Sequence, residues 1–329
     1  MRDEPIMNCQ TKTRDFTRSD THTPEQRAAT AARRDVDFLS AGVTCRAWLC
    51  APAAQTGPAT PCIVMGHGLG GTREGSLHPY AERFAQAGFS VLVFDYRHLG
   101  ASDGDPRQLI SIAQQLDDWA AAIAYARTLP DVDPDRIALW GTSLSGGHVF
   151  TAAARDRRIA AISAQYPMLD AAASVRMFTQ DAGMSAGVRL IGAALIDVAR
   201  AALGGKPYCV PLAAPPGQLA AMASHDAYAG CMAIMPPDWR NEIAARFFLE
   251  MPFYRPLRYA PEVKCPALII ACLKDSVASA RAAAKVAARM GGRARLIQLP
   301  IGHFEVYVGD GFETACHEQV AFFKRTLTP

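Results

Sequence analysis

Apolar residues in this chain fall into two patterns, short unbroken runs and longer stretches with a helical period. Residues 62–65 (Cys62-Ile63-Val64-Met65), 89–94, 137–140, 159–166 and 267–272 are short and apolar at successive positions, as parallel strands buried on both faces should be. A further strand is predicted over 294–299. Between these runs the period changes. Residues 77–87 form a helix stopped at Gly88, and Ile112, Leu116, Trp119, Ile123 and Arg127 recur at steps of three and four. Residues 278–290 form another helix, and in a last one Phe312, Cys316, Phe323 and Leu327 share a face. Ahead of all these, Val36 and Phe38 alternate with polar neighbours, and Val43, Cys45, Ala47 and Leu49 occupy one face of a second strand. The turn Ala41-Gly42 makes the two a hairpin.

Strands alternating with helices specify an α/β fold with a mostly parallel, doubly wound sheet covered on both sides. Residues 33–170 and 261–329 carry that rhythm and form the core. Residues 171–260 do not. They hold helical pieces at 188–203, 216–223 and 239–249, many Pro and Gly breaks, and Met177, Met184, Met222, Met232, Met235 and Met251. An insertion between sheet strands, at the end where ligands bind in such folds, is expected to be a helical cap, its methionines either lining an adaptable pocket or filling the contact with the core. Residues 1–32 lack a sustained apolar period and are expected to form a loose arm with one short helix over 24–34.

Composition narrows the function. The chain has 329 residues, half of them hydrophobic and a fifth charged, a globular balance with ample material for a core. The formal charge is +3 and the basic residues are scattered, so nucleic acid is not an expected partner. The nine cysteines are odd in number and lack a C-x-x-C pair, which favours reduced thiols over a disulfide framework or a zinc site. No H-x-x-H spacing points to a metal. The greasiest stretch, 188–203, is interrupted by Arg189, Asp197 and Arg200 and does not span a membrane. With no apolar signal core at the N-terminus, a cytoplasmic protein is expected. Apolar faces on the cap would serve a homodimer or only the core.

One stretch carries chemistry. In RIALWGTSLSGGH, residues 136–148, an apolar run meets a turn of small residues and then a helix, with Ser143 at the apex. A serine on such a turn exposes its hydroxyl, and the N–H groups of the following helix point back toward anything bonded to it. The pattern is G-x-S-x-G except that Ser145 holds the fifth position, where serine is nearly as compact as glycine. By itself a Gly/Ser-rich loop would give the same pentapeptide; its context decides.

Taken in order, HGLGG (67–71), DYRHLGASDG (95–104), WGTSLSGGH (140–148) and GHFEVYVG (302–309) resemble the α/β-hydrolase superfamily over 34–327. Within it they are similar to the serine hydrolases related to dienelactone hydrolases and to FrsA-like bacterial esterases. The resemblance implies a triad in chain order Ser, acid, His, without a cofactor or metal. Ser143 is then the nucleophile and His303 the base that takes its proton and returns it to the leaving group. Asp275, just after the strand over 267–273, is the acid that orients His303, with Asp170 as its rival; either aspartate would otherwise only cap the next helix. The backbone N–H groups of Leu69 and Leu144 form the oxyanion hole, and His67 orients the first loop. Arg97, His98 and Asp103 shape a turn or touch substrate; Arg176 and Arg240 in the cap are ordinary surface arginines or partners of a substrate carboxylate. The expected activity is hydrolysis of a carboxylic ester or thioester with a hydrophobic arm, its only implied partner being that small-molecule acyl substrate. The alternatives are an acyltransferase using the same acyl-enzyme, a carbon-carbon bond hydrolase, and a non-catalytic binding module.

Overall fold

The computed structural model describes residues 32–52 and 59–328. The N-terminal arm lies outside them, except that Arg33 and Arg34, placed at the end of its expected helix, are already strand. The first pair, β1 (Arg33–Ser40) and β2 (Val43–Cys50), is an antiparallel hairpin closed by Ala41 and Gly42 at φ 47° and 81°. Two successive positive φ values give the turn whose twist matches that of the strands it joins.

There follow β3 (Thr60–Gly66), α1 (His78–Gln86), β4 (Ser90–Phe94), α2 (Ile112–Thr128), β5 (Val132–Thr142), α3 (Leu144–Arg155) and β6 (Ala161–Gln165). The strand before Ser143 begins earlier than its apolar run, because Thr60 pairs with Val132 before the register shifts and Cys62 meets Ile137. Next come α4 (Ala171–Ala182), α5 (Met184–Ala202), β7 (Cys209–Val210), α6 (Ala227–Ile234), β8 (Ile243–Ala244) and α7 (Phe247–Glu250). The chain closes with β9 (Ala267–Cys272), α8 (Ala280–Met290), β10 (Ala294–Leu299) and α9 (Gly309–Leu327).

Eight strands form one sheet in the order β1-β2-β4-β3-β5-β6-β9-β10, parallel from β4 through β10. Successive residues of a strand face opposite sides, so both sides are apolar. Leu139, Phe94 and Val64 face α2, α3 and α8, around the fully buried Trp119 and Phe150. Trp140, Val93 and Met65 face α1 and α9, around Tyr80, Phe84 and Phe323. The eight described cysteines are all free thiols, six of them buried in these layers.

The segment between β6 and β9 departs from its expected helices in two places. Residues 216–223 are turn and an isolated bridge, Ala213 to Met222, because Met222 N–H is taken by the Leu212 carbonyl. Within 239–249 the chain pairs β8 with β7 before the single turn of α7. Meanwhile α4 and α6 form where no helix is expected, and α4 meets α5 at 119°, broken at Gly183.

One buried carboxylate ties this segment together. Asp197 of α5 accepts hydrogen bonds from Tyr208 N–H (2.8 Å), Arg246 N–H (2.8 Å) and the Arg246 guanidinium (2.7 and 2.8 Å), and its side chain is fully buried. Burial opposes its ionisation, but the bonds from Arg246 and Tyr208 outweigh it and hold the carboxyl below the usual carboxylate range. A depressed native value adds stability above the unfolded-state pKa, near ~3.9, and that contribution is lost as pH falls through the native value. Asp197→Ala leaves Arg246 and two N–H groups unpaired and is expected to cost about 3–5 kcal/mol at pH 7. Urea midpoints at pH 7 and pH 3 check this, with the gap between wild type and variant narrowing at the lower pH.

Candidate active site

Ser143 stands between the last residue of β5 and the first of α3, at φ 53° and ψ −115°. A residue with a Cβ is strained there, and the neighbouring backbone holds it: Ser143 N–H donates to the Gln165 carbonyl (3.0 Å) and Met168 N–H to the Ser143 carbonyl (2.8 Å). Small residues are needed because the elbow is tight. A Cβ on Gly141 would lie 2.2 Å from the Ser145 carbonyl oxygen.

The HGLGG loop follows β3 and runs beside this elbow. A Cβ on Gly68 would lie 3.1 Å from the Ser143 Cβ and 3.6 Å from its Oγ, so the Gly68-Leu69 peptide lies against the serine. Among the described residues, the N–H groups of Leu69 and Leu144 have no acceptor; Leu144 opens α3, where the first amides are free by construction. His67 is buried, its Nδ1 2.9 Å from the Gly68 carbonyl and its Nε2 3.9 Å from Asp95. Burial lowers its pKa, so the neutral ring donates from Nδ1 and braces the loop.

His303 lies in the loop after β10. Its Nδ1 is 2.8 Å from both carboxylate oxygens of Asp275, and both side chains are almost wholly buried. Asp275 Oδ1 also accepts the N–H groups of Val277 and Ala278, each at 2.7 Å, which fixes the carboxylate. Gly302 N–H donates to Glu305 (2.6 Å), and the Tyr166 ring packs 4.3 Å from the His303 ring. Asp170 is engaged elsewhere, accepting both guanidinium arms of Arg255 at 2.9 Å. Arg97 is likewise held away from the site, by Asp118 (2.7 Å) and Ser40 (2.5 Å), and His98 and Asp103 share a turn.

Two cavities meet at Ser143. The smaller, of about 30 Å³, is lined by His67, Leu69, Ser143, Tyr166 and His303 among others. The larger, of about 420 Å³, lies under α4 and α5 and is lined mostly by apolar side chains, including Val175, Phe178, Leu190 and Phe248. Ser143, Leu69 and Met222 border both. Of the methionines between β6 and β9, Met168, Met184, Met222 and Met251 line the large cavity, and Met222 and Met235 the small one. Thus the structure gathers Ser143, His303, Asp275 and the Leu69 and Leu144 amides around one point. Ser143 Oγ and His303 are not hydrogen-bonded, an approach that in many such sites tightens only when substrate is bound.

Fold and site together define an α/β hydrolase. The chain belongs to the family described as X-Pro dipeptidyl-peptidase (S15 family), whose model matches residues 41–305. It is 44% identical over 297 residues to the quorum-quenching protein AidA of Acinetobacter baumannii, covering 89% of this chain and 95% of that one. The thiohydrolase aneE of Aspergillus aculeatus is 39% identical over 111 residues, 34% of this chain and 35% of the relative. Among solved structures, the α/β hydrolase GrgF from Penicillium sp. superposes with a TM-score of 0.77 at 26% identity, over 91% of this chain and all of that one. A grgF from Penicillium sp. is named a polyketide transferase, 38% identical over 144 residues, 44% of this chain and 48% of that protein.

Sequence reasoning passed over Tyr166 at this site and gave Ser145 no role beyond its small size. Tyr166, beneath the His303 ring, looks in the sequence like the last residue of a strand. Ser145 departs from the elbow pattern, and that departure was the available signal of a further contact.

Proposed function

We propose that this protein hydrolyses a carboxylic ester or thioester bearing an apolar acyl arm, through an acyl-enzyme on Ser143. The observation that carries this reading is that Ser143 borders both the pocket holding His303 and the large apolar cavity. In this mechanism Ser143 Oγ attacks the acyl carbonyl while His303 Nε2 takes its proton and Asp275 stabilises the imidazolium through Nδ1. The N–H groups of Leu69 and Leu144 receive the oxyanion. Collapse breaks the bond to the alcohol or thiol, which leaves with the proton from His303; water repeats the cycle and frees Ser143. Residues 171–260 act as the cap over the acyl arm. The likeness to a thiohydrolase supports the thioester half of the reading.

At the ~30 Å³ that a water-sized group occupies in a liquid, the cavity of about 420 Å³ holds on the order of a dozen heavy atoms. Each buried methylene contributes about 0.8 kcal/mol, a factor of about four. Across p-nitrophenyl esters and matched thioesters, kcat/KM is therefore expected to rise by up to that factor per methylene and to level off near a dozen carbons. A profile that falls from acetate onward would sink the assignment of the cavity to the acyl arm. A second reading, transfer of the acyl group to an alcohol or amine, draws on the likeness to a polyketide transferase and on the apolar lining of the large cavity, which would disfavour water as the acceptor. The ratio of transfer product to free acid, measured against acceptor concentration, separates the two.

A further inference from the structure

Ser145 is fully buried, directly behind the nucleophile, and its hydroxyl is one link in a chain that begins in the core. Trp119 Nε1 donates to Tyr96 OH (2.7 Å), Tyr96 OH is bonded to Ser145 Oγ, and Ser145 Oγ donates to the His67 carbonyl. The ends fix the direction. An indole N–H can only donate and a carbonyl can only accept, so the Tyr96 proton points to Ser145 and the Ser145 proton to His67. Trp119, Tyr96 and Ser145 all have essentially no exposed surface, so water cannot replace any link.

The chain ends on the oxyanion loop. His67 precedes Gly68-Leu69, the peptide that lies against Ser143. One residue upstream, a Cβ on Gly66 would lie 2.6 Å from Trp119 Cζ2 and 3.0 Å from Tyr96 OH, so this strand end rests on the same aromatic pair. A glycine at position 145 would leave the His67 carbonyl and the Tyr96 hydroxyl without their partner, and the loop would lose its anchor to the elbow helix.

We propose that Ser145 is a positioning residue, whose hydroxyl fastens the 67–71 loop to α3 and so keeps the Leu69 N–H aimed at the oxyanion formed on Ser143. This rests on the acyl-enzyme reading above. The Ser145 hydroxyl does not touch substrate; it acts through the placement of one donor. Loss of an oxyanion donor typically costs about 10²–10³ in kcat, and a donor loosened without being removed is expected to cost about 10–10².

Two variants test it, both compared with wild type. Ser145→Ala is expected to lower kcat for a p-nitrophenyl ester about 10–10²-fold with KM within about twofold. Affinity for a trifluoromethyl ketone, whose adduct on Ser143 bears an oxyanion, is expected to fall by the same factor as kcat/KM. Tyr96→Phe serves as the control: it orphans the buried Trp119 N–H in the same core but leaves the Ser145 hydroxyl to donate to the His67 carbonyl, so it is expected to lose urea resistance with kcat within about twofold of wild type. If kcat in Ser145→Ala stays within about twofold of wild type, or falls as far in Tyr96→Phe as in Ser145→Ala, the positioning role is wrong. Mass spectrometry of wild type treated with a fluorophosphonate keeps the two levels apart. An adduct on Ser143 upholds the acyl-enzyme reading whatever Ser145 does, and its absence removes that reading and the positioning role with it.

Discussion

Ser143→Ala is expected to lower kcat for any ester substrate by about 10⁶-fold, with KM changed by less than about threefold. The size follows from the role: nucleophile and base act as a unit, and removing either forfeits the covalent route while the oxyanion donors and binding remain. Nothing in the fold depends on the lost hydroxyl. The backbone strain at φ 53° is carried by bonds from Ser143 N–H and to the Ser143 carbonyl, which alanine keeps. Thermal unfolding should therefore match wild type within a few degrees, and fluorophosphonate labelling should vanish. A variant retaining more than about a hundredth of wild-type turnover would rule out Ser143 as the nucleophile.

Asp275→Asn is the second large effect, about 10³–10⁴-fold in kcat. The amide is isosteric, but its orientation is forced. Oδ1 accepts the N–H groups of Val277 and Ala278, so asparagine keeps its oxygen there and turns its NH₂ toward His303 Nδ1. Nδ1 must then accept, which moves the ring proton to Nε2, the atom that has to take a proton from Ser143. Asp170→Asn should leave kcat within about threefold, because Asp170 is paired with Arg255 and not with His303. The two variants assayed side by side decide between the aspartates, and a larger loss in Asp170→Asn would reverse the assignment.

The sheet was legible in the sequence because each central strand is apolar on both faces, a pattern that depends only on the residues themselves. The candidate site was legible as a cluster for a related reason. Its residues sit at strand ends, so the order of strands places Ser143, Asp275, His303 and Leu69 at one edge. What failed depends on partners distant in sequence. Residues 216–223 have helical composition but pair Ala213 with Met222, supported by the Asn241 side chain bonded to Ala213 on both its N–H and C=O. In residues 239–249 the helix gives way to pairing of Ile243 with Val210 and to Arg246, whose backbone and side chain both turn to Asp197. Ser145 looked like a tolerated substitution because its partners, Tyr96 and His67, are 49 and 78 residues away.

The free thiols in the two core layers bear on how this enzyme can be interrogated with covalent reagents. Burial pushes Cys62, Cys231 and Cys316 up to about 12 and Cys50 and Cys265 up to about 11. At neutral pH such groups hold no more than about one thiolate in a thousand, and only the thiolate attacks an electrophile. These five thiols are thus poor competitors for an electrophile, although sulfur is intrinsically a better nucleophile than oxygen. Alkylating agents and mild oxidants should pass these thiols by, and a broad acylating probe should lose little of its signal to them.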